Sequence, residues 1–234
     1  MAFTEPSHCA RLPAPRRETI ATSIPPSLQA AVETIIAAGR RLDARELAAA
    51  TSGNYSVRLS DGRIAVTVSG RHKGRLTPAD VMVVSADGVA LEDKKPSAET
   101  GLHTQLYRLY PHVNAILHVH TVPVVTLTRH LPAAREIVLQ DYEMLKAFPG
   151  ITTHQAVVAI PVFENSQDIP ALSREVDRRL QNEAHAPAPA YLIRGHGAYG
   201  WGKDMDEAER VIEALEHLLS CEIEALRLRN GVKA

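Results

Sequence analysis

Residues 115–120, with the sequence AILHVH, form an apolar segment that ends on two histidines, His118 and His120. Alternate side chains of a strand lie on the same face, so an extended segment points both imidazoles to one side. Apolar residues on both faces are typical of a strand in the interior of a sheet. We therefore predict a buried central strand that carries two neighbouring imidazoles at its end.

The segments that precede this strand are predicted to pair as antiparallel strands. Residues 54–59 and 64–68 are separated by a turn that contains Asp61-Gly62, a dipeptide that favours a tight hairpin. Residues 81–84 and 89–91 repeat the pattern around another Asp-Gly pair. The first half of the chain is therefore predicted to be rich in strands.

Helical spacing of apolar residues predicts a helix from the N-cap Ser27 to about Gly39 and a long C-terminal helix whose start, Asp204 and Glu207, resembles a capping box. The other predicted elements are helices over 97–110, 122–130 and 167–181, and strands near Ile137, over 157–160 and over 191–194. This order predicts one mixed α/β domain over residues 27–234, preceded by an irregular arm over residues 1–26.

Composition excludes several classes of protein. The 234 residues carry a net charge of −1, which does not favour binding to nucleic acid or to an anionic membrane. No apolar run approaches the roughly 20 residues that span a bilayer, and the first residues lack the pattern of a secretory signal. Two cysteines, Cys9 and Cys221, are typical of a reducing compartment, so we expect a cytoplasmic protein.

The paired histidines predict a metal site, for which a third ligand is needed. Catalytic zinc sites use about three protein ligands and keep a position open. His196 is the best candidate, because Gly195 and Gly197 allow the backbone to approach a site closely. His103 and His154 are left open. The remaining histidines are interpreted as surface residues: His8, His72, His112, His130, His185 and His217.

Two carboxylates are candidates for the chemistry beside a metal. Glu99 lies near a predicted helix start, where it either belongs to the site or complements the helix dipole. Glu143 lies between hydrophobic residues. It is either a half-buried general acid or base with a raised pKa, or an ordinary surface glutamate.

Two short segments have the composition of an anion site. Residues 51–54 (TSGN) and 69–74 (SGRHKG) combine hydroxyls, glycine and main-chain amides, and Lys73 adds a cation. Taken alone, each segment is more typical of an ordinary turn than of a phosphate site.

Taken together, these motifs resemble the class II aldolase and adducin-head family over about residues 28–228. The residues that carry the resemblance are, in order, 51–56, 69–70, 96–99, 118–120 and 195–197. The resemblance implies a three-layer α/β/α fold with a mainly antiparallel central sheet, zinc bound by His118, His120 and His196, and commonly a homotetramer with active sites between subunits. Glu99 matches the family glutamate that ligates zinc and acts as a base in the aldolases.

Within that family, residues 140–146, 160–165 and 194–202 resemble the methylthioribulose-1-phosphate dehydratases of methionine salvage. This implies loss of water from 5-methylthioribulose 1-phosphate to give 5-methylthio-2,3-dioxopentyl phosphate. Glu143 is then the acid or base, and Glu99 is either a ligand or a group behind the ligands. The substrate-binding residues implied are Asn54, Ser69, Gly70, Lys73 and Ser97.

Two alternative functions follow from the same scaffold. Glu99 is compatible with a sugar-phosphate aldolase or epimerase, which would use the same metal to cleave or invert a different bond. A non-catalytic module like the adducin head is the other alternative, and the presence of His118, His120 and His196 argues against it.

Overall fold

The structure, a computed structural model, describes residues 25–182, 188–229 and 231. The arm predicted over residues 1–26 therefore lies almost wholly outside the described residues, as do Cys9, His8 and His185. The helices are α1 (Leu28–Ala44), α2 (Thr100–Leu109), α3 (Val122–His130), α4 (Ile169–Asn182) and α5 (Met205–Arg229). The strands are β1 (Asn54–Arg58), β2 (Ile64–Thr67), β3 (Val81–Val84), β4 (Ala115–Val119), β5 (Glu136–Leu139), β6 (Val158–Phe163), β7 (Ala190–Ile193) and β8 (Gly197–Gly202).

The strands form one sheet in the order β3-β2-β1-β4-β8-β7-β6-β5. Neighbours are antiparallel except for β6 and β7, which are parallel. Strand β4 lies between β1 and β8, so the prediction of a buried central strand is confirmed, and so is the mainly antiparallel sheet.

Helices cover both faces of the sheet and complete the α/β/α layers. Helices α1, α3 and α5 pack on the face to which Leu117 and Val119 of β4 point. Helices α2 and α4 pack on the other face, with Ile116 and the aromatic residues of β7 and β8. His118 lies on this second face, where its ring stacks on Tyr199. The metal-site candidates therefore lie on the α2 and α4 side of the sheet.

Helix α1 continues past Gly39, where the sequence predicted its end, to Ala44. Its predicted N-cap is confirmed, since the Ser27 hydroxyl accepts a hydrogen bond from the Ala30 amide. Gly39 is buried within the helix, and the carbonyl oxygen of Lys73 occupies the space that a Cβ would need. The glycine thus serves a close approach between helix and loop, and the prediction of a helix end was wrong.

Two further predictions differ from the structure in the glycine-rich parts of the sheet. Residues 89–91 do not form a strand. After the turn at Gly88 they return along β3 with two main-chain hydrogen bonds, from Ser85 to Val89 and from Leu91 to Val83, which make only an isolated bridge between Val84 and Ala90. Strand β8 was not predicted, because its glycines obscure the alternation. A side chain at Gly200 would collide with Ile212 of α5, so the glycine lets the helix pack closely.

The start of α5 is only half a capping box. The Asp204 carboxylate accepts from the Glu207 amide at 2.9 Å, but the Glu207 carboxylate accepts from the Lys203 amide rather than returning to Asp204.

No helix in the described part of the chain is both long and apolar enough to cross a membrane.

Candidate metal centre

Three histidines from separate parts of the chain meet at the end of β4. His118 is in the strand, His120 follows it, and His196 lies in the turn between β7 and β8. Antiparallel pairing of β4 with β8 places Val119 opposite Ala198, which brings this turn beside the end of β4. Together with Glu99, the three histidines form a cluster whose candidate ligand atoms all lie within 4.8 Å of one another. The structure thus brings together four of the sequence-predicted residues.

Two of the spacings within this cluster match those of a tetrahedral ion. The Glu99 carboxylate lies 3.3 Å from Nε2 of His118 and 3.2 Å from Nε2 of His196. Nε2 of His120 lies 2.8 Å from Nε2 of His118. Zinc bonds of about 2.0–2.1 Å in tetrahedral geometry separate ligand atoms by about 3.3 Å. Three imidazoles and a carboxylate are also the donors that zinc prefers, so the residues fit this metal.

Hydrogen bonds on the far side of two rings determine which nitrogen faces the cluster. Nδ1 of His118 lies 2.9 Å from the carbonyl oxygen of Ala198, and Nδ1 of His196 lies 3.2 Å from Oδ1 of Asn165. Because both partners accept, each Nδ1 carries the proton and Nε2 keeps a free lone pair. Asn165 was missed as a site residue, although it ends the 160–165 segment on which the resemblance rests.

Burial keeps the imidazoles of His118 and His120 neutral. The pKa of His118 is well below its ordinary value, first because the ring is buried and then because His120 and His196 lie nearby. Burial also lowers the pKa of His120 to about 4. Neutral imidazole is the form that binds a metal, so near neutral pH these ligands need not lose a proton.

The turn that carries His196 is held by Arg194. Its guanidinium donates three hydrogen bonds, of 2.6–2.9 Å, to main-chain carbonyls between residues 128 and 134. Gly195 has φ +63° and donates its amide to the Thr128 hydroxyl. A positive φ is a conformation that glycine adopts without strain. The turn is therefore fixed to α3 and to the loop that follows it.

Glu99 lies at the start of α2, where a carboxylate complements the helix dipole, but it does not cap the helix. It occupies the N-cap position, but its side chain makes no cap hydrogen bond. The carboxylate faces His118 and His196 instead, and it accepts from Nδ2 of Asn54 at 2.8 Å.

The segments with anion-site composition lie next to the cluster. Asn54 is the sheet partner of His118 and also donates to the Ser97 hydroxyl at 3.2 Å. Ser69 and Gly70 are exposed, and the Ser69 amide donates to the carbonyl of Lys95. The structure thus places residues 51–54, 69–70 and 96–99 together at one edge of the cluster.

Lys73 is buried beneath this edge rather than exposed on it. Its ammonium donates to the carbonyls of Thr51 at 2.9 Å and Arg71 at 2.6 Å, which ties the two glycine-containing segments together. Burial lowers its pKa to about 8. One of its three protons is left for another acceptor.

Glu143 is not brought to the cluster. It begins a 3₁₀ turn, Glu143–Ala147, that packs on α5, on the opposite face of the sheet from His118. Its side chain is 73% exposed and contacts Lys146 and His154. The hydrogen bond from Lys146 lowers its pKa. For a single chain, the expectation that Glu143 is a half-buried carboxylate with a raised pKa is therefore wrong.

Of the two histidines left open, His154 is about half exposed and lies near Glu143. His103 is fully buried and contacts both Ser56 and Asn54. The spacing of Glu99, His103 and Tyr107, each four residues from the next, places them on one side of α2 and is the signal that could have identified His103. His130 and His217 are exposed, and His72 and His112 are partly exposed, as predicted.

Residues 33–223 match the family model for the class II aldolase and adducin N-terminal domain. The chain is 49% identical over 200 residues to the methylthioribulose-1-phosphate dehydratase of Marinobacter nauticus, covering 85% of this chain and 95% of the relative. It is 51% identical over 188 residues to the enzyme of the same name from Methylococcus capsulatus, covering 80% and 90%.

Solved structures agree with this result at the level of the fold. The L-fuculose-1-phosphate aldolase of Thermus thermophilus superposes with a TM-score of 0.68 at 27% identity, over 87% of this chain and 97% of the aldolase. A sugar-phosphate aldolase of Thermotoga maritima gives 0.64 at 19% identity, over 86% and 97%. The family match spans most of the chain and includes all four residues of the cluster. The chain belongs to the class II aldolase and adducin N-terminal domain family.

Proposed function

We propose that this chain is a metal-dependent hydro-lyase that removes water from 5-methylthioribulose 1-phosphate and yields 5-methylthio-2,3-dioxopentyl phosphate. The observation that carries the proposal is the 49–51% identity to methylthioribulose-1-phosphate dehydratases over at least 80% of this chain and 90% of each relative. The reaction belongs to methionine salvage. The low cysteine content supports a cytoplasmic location.

Zinc is the metal that we propose, with His118, His120 and His196 as ligands. When bound, zinc supplies a Lewis acid that polarises the C2 carbonyl and acidifies the C3 proton. Neutral, correctly oriented imidazoles support this assignment. The Glu99 carboxylate would either join these histidines in holding the metal or accept a proton beside them.

The substrate phosphate is proposed to bind at the edge formed by residues 51–54, 69–70 and 96–99. Ser69, Gly70 and Ser97 offer hydroxyl and amide donors, and the buried ammonium of Lys73 adds positive charge beneath them. Both amide hydrogens of Asn54 are donated already, so its side chain acts here by holding Ser97 and Glu99. Binding the phosphate at a fixed distance would position the reacting carbons.

Glu143 is proposed as the acid or base, reaching the cluster from a neighbouring copy of the chain. Its exposure and its position on the opposite face of the sheet support action on another subunit rather than its own. It would either remove the C3 proton or protonate the departing C4 hydroxyl. This assignment requires a homo-oligomer, and we propose a tetramer.

A sugar-phosphate aldolase is the second candidate function. The contact of the Glu99 carboxylate with two of the histidines favours it, because that arrangement places a carboxylate where an aldolase would use a base. Retro-aldol cleavage of a ketose 1-phosphate to dihydroxyacetone phosphate would distinguish it from dehydration.

The deciding experiment is an assay with synthetic 5-methylthioribulose 1-phosphate, before and after zinc is stripped and restored. We expect zinc-dependent formation of the diketone. Glu143→Gln should reduce kcat by about 10²–10⁴-fold, the usual contribution of a general acid or base. Glu224→Gln is the matched control, because Glu224 is also exposed and pairs with a cation three residues on. Zinc-loaded protein without turnover would refute the dehydratase.

A further inference from the structure

A line of buried polar groups runs from the body of α2 to the carboxylate of Glu99. The Tyr107 hydroxyl lies 2.8 Å from the Ser56 hydroxyl, which lies 2.7 Å from Nδ1 of His103. Nε2 of His103 contacts Oδ1 of Asn54, and Nδ2 of Asn54 reaches Glu99. The side chains between Tyr107 and Asn54 are at most 3% exposed, so water does not compete for these bonds.

Only one arrangement of protons satisfies every member of this line. An ionised Glu99 only accepts, so Nδ2 of Asn54 must face it and Oδ1 must face His103. His103 must then carry its proton on Nε2, which leaves Nδ1 as an acceptor for Ser56. The Ser56 hydroxyl, having donated, accepts from Tyr107. Burial lowers the pKa of His103 to about 3, which agrees with a neutral ring that has one donor and one acceptor.

From this geometry we infer that His103 is a positioning residue, whose Nε2 proton fixes the Asn54 amide and thereby holds the Glu99 carboxylate against His118 and His196. Without that donor, the amide could rotate and present its oxygen to the carboxylate, which would repel it. Glu99 is only partly buried, so it would be free to turn away from the cluster. The inference rests on the proposed metal site and adds a determinant of its affinity.

The test measures the affinity for zinc, by competition with a chelator, and the visible spectrum of the cobalt-substituted protein. His103→Leu removes the donor, and we expect affinity to fall about 10–100-fold, as for other groups behind metal ligands, with an altered cobalt spectrum. His103→Gln restores a donor toward Asn54 and should recover most of the affinity. Tyr107→Phe removes a buried hydroxyl from the same line but leaves Ser56 able to donate, so it should bind zinc like the unaltered protein.

A double-mutant cycle separates positioning from a general structural role. If His103 acts through Glu99, His103→Leu should cause no further loss of zinc affinity in a Glu99→Gln background. Equal losses in both backgrounds, or normal affinity and spectrum in His103→Leu alone, would overturn the inference. These readouts do not use turnover, so a protein that binds zinc without dehydrating the substrate would refute the proposed reaction and still decide the role of His103.

A measurement on the unaltered protein covers the case in which His103→Leu does not fold. The nitrogen-15 shifts of the His103 ring should report a neutral ring protonated on Nε2, unchanged by mild acidification to about pH 5. A ring protonated on Nδ1 would contradict the proton arrangement, whether or not zinc is bound.

Discussion

Glu216 is a buried carboxyl group on α5 that the proposed chemistry does not use. Its side chain is 6% exposed; Oε1 accepts from the Thr121 hydroxyl at 2.6 Å, and Oε2 has no partner among the described residues. Burial raises its pKa from 4.5 to about 7. A group whose pKa is raised in the folded state contributes its full stabilisation at a pH below its unfolded-state pKa. That stabilisation is lost as the pH rises through its folded-state pKa.

We therefore expect Glu216→Gln to gain stability relative to the unaltered protein as the pH rises from about 5 to 8. The amide keeps an oxygen for Thr121 but cannot ionise, so the gain should be as much as about 3 kcal/mol at the upper end. Denaturant unfolding of both proteins across this range measures it. A difference that does not change with pH would show that Glu216 does not titrate there.

Gly197 is the residue at which the sheet leaves room for the cluster. A Cβ there would overlap the carbonyl oxygen of Val119 and lie 3.0 Å from Cε1 of His118 and 3.1 Å from Cδ2 of His120. Gly197→Ala should therefore displace the ligand rings and weaken zinc binding by about 10-fold or more, since small shifts of ligands are costly. Equilibrium competition with a chelator measures the loss.

Gly200→Ala is the matched control, because it adds the same methyl group to the same strand but meets the side chain of Ile212 on α5. We expect it to lower the melting temperature while it leaves zinc affinity nearly unchanged. If both variants lost affinity equally, the effect of Gly197→Ala would be one of general destabilisation.

Residue-level prediction succeeded where backbone geometry alone places the side chain. Strand alternation is enough to put His118 and His120 together, and the glycines of the 195–197 turn indicated a close approach. It failed for Glu143, because the hydrophobic neighbours Tyr142 and Leu145 pack inward while the 3₁₀ turn directs the glutamate outward. Local hydrophobicity does not report which side of a tight turn is buried.

At the level of elements, α1 and α5 are joined by an ion pair between Arg41 and Glu209. Nε of Arg41 donates at 2.7 Å and a second guanidinium nitrogen donates to the other carboxylate oxygen, while the Glu209 side chain is only 8% exposed. Arg41→Met would leave this carboxylate buried without a partner. We expect a loss of about 1–3 kcal/mol in the free energy of unfolding, and recovery of much of it in the double variant Arg41→Met/Glu209→Gln.

Arg45→Met tests whether burial of the carboxylate causes that loss. Arg45 pairs with Glu213 between the same two helices at 3.2 Å, but both side chains are about a third or more exposed. Exposed pairs contribute about 0–1 kcal/mol, so urea unfolding should show a clearly smaller effect. Equal losses from Arg41→Met and Arg45→Met would argue against a special role for the buried carboxylate.

The sequence predicted the elements that carry a regular apolar pattern and missed those shaped by contacts between elements. The α3 helix was predicted with its observed bounds, 122–130. The end of α1 was missed because Gly39 is there for the loop at Lys73, which packs closely against the helix. Strand β8 was missed because Gly200 is there for Ile212 of α5, and neither partner is a neighbour in the sequence. In a single sequence, a glycine that ends a helix or strand cannot be distinguished from a glycine that allows another element to pack closely.

At the scale of the whole molecule, the central sheet separates Glu143 from the histidines of its own chain. The proposed function therefore requires each active site to take its metal ligands from one copy and its acid or base from another. The layers, the mainly antiparallel sheet and active sites between subunits could be predicted from the resemblance. Which residue a neighbouring copy contributes could not, since one sequence does not state which surfaces of two copies meet.

Hybrid oligomers of two inactive variants test this division. Glu143→Gln keeps the metal ligands but lacks the acid or base, and His120→Asn lacks a ligand but keeps Glu143. If sites are shared between neighbours, random assembly of an equal mixture should place an intact cluster beside an intact Glu143 in about a quarter of the sites, and activity should return to about that fraction. If Glu143 serves its own chain, every site has one defect, and hybrids isolated through two different affinity tags should remain inactive. Because the tags prove that both variants are present, inactivity of these hybrids would refute the shared site rather than report a failure to assemble.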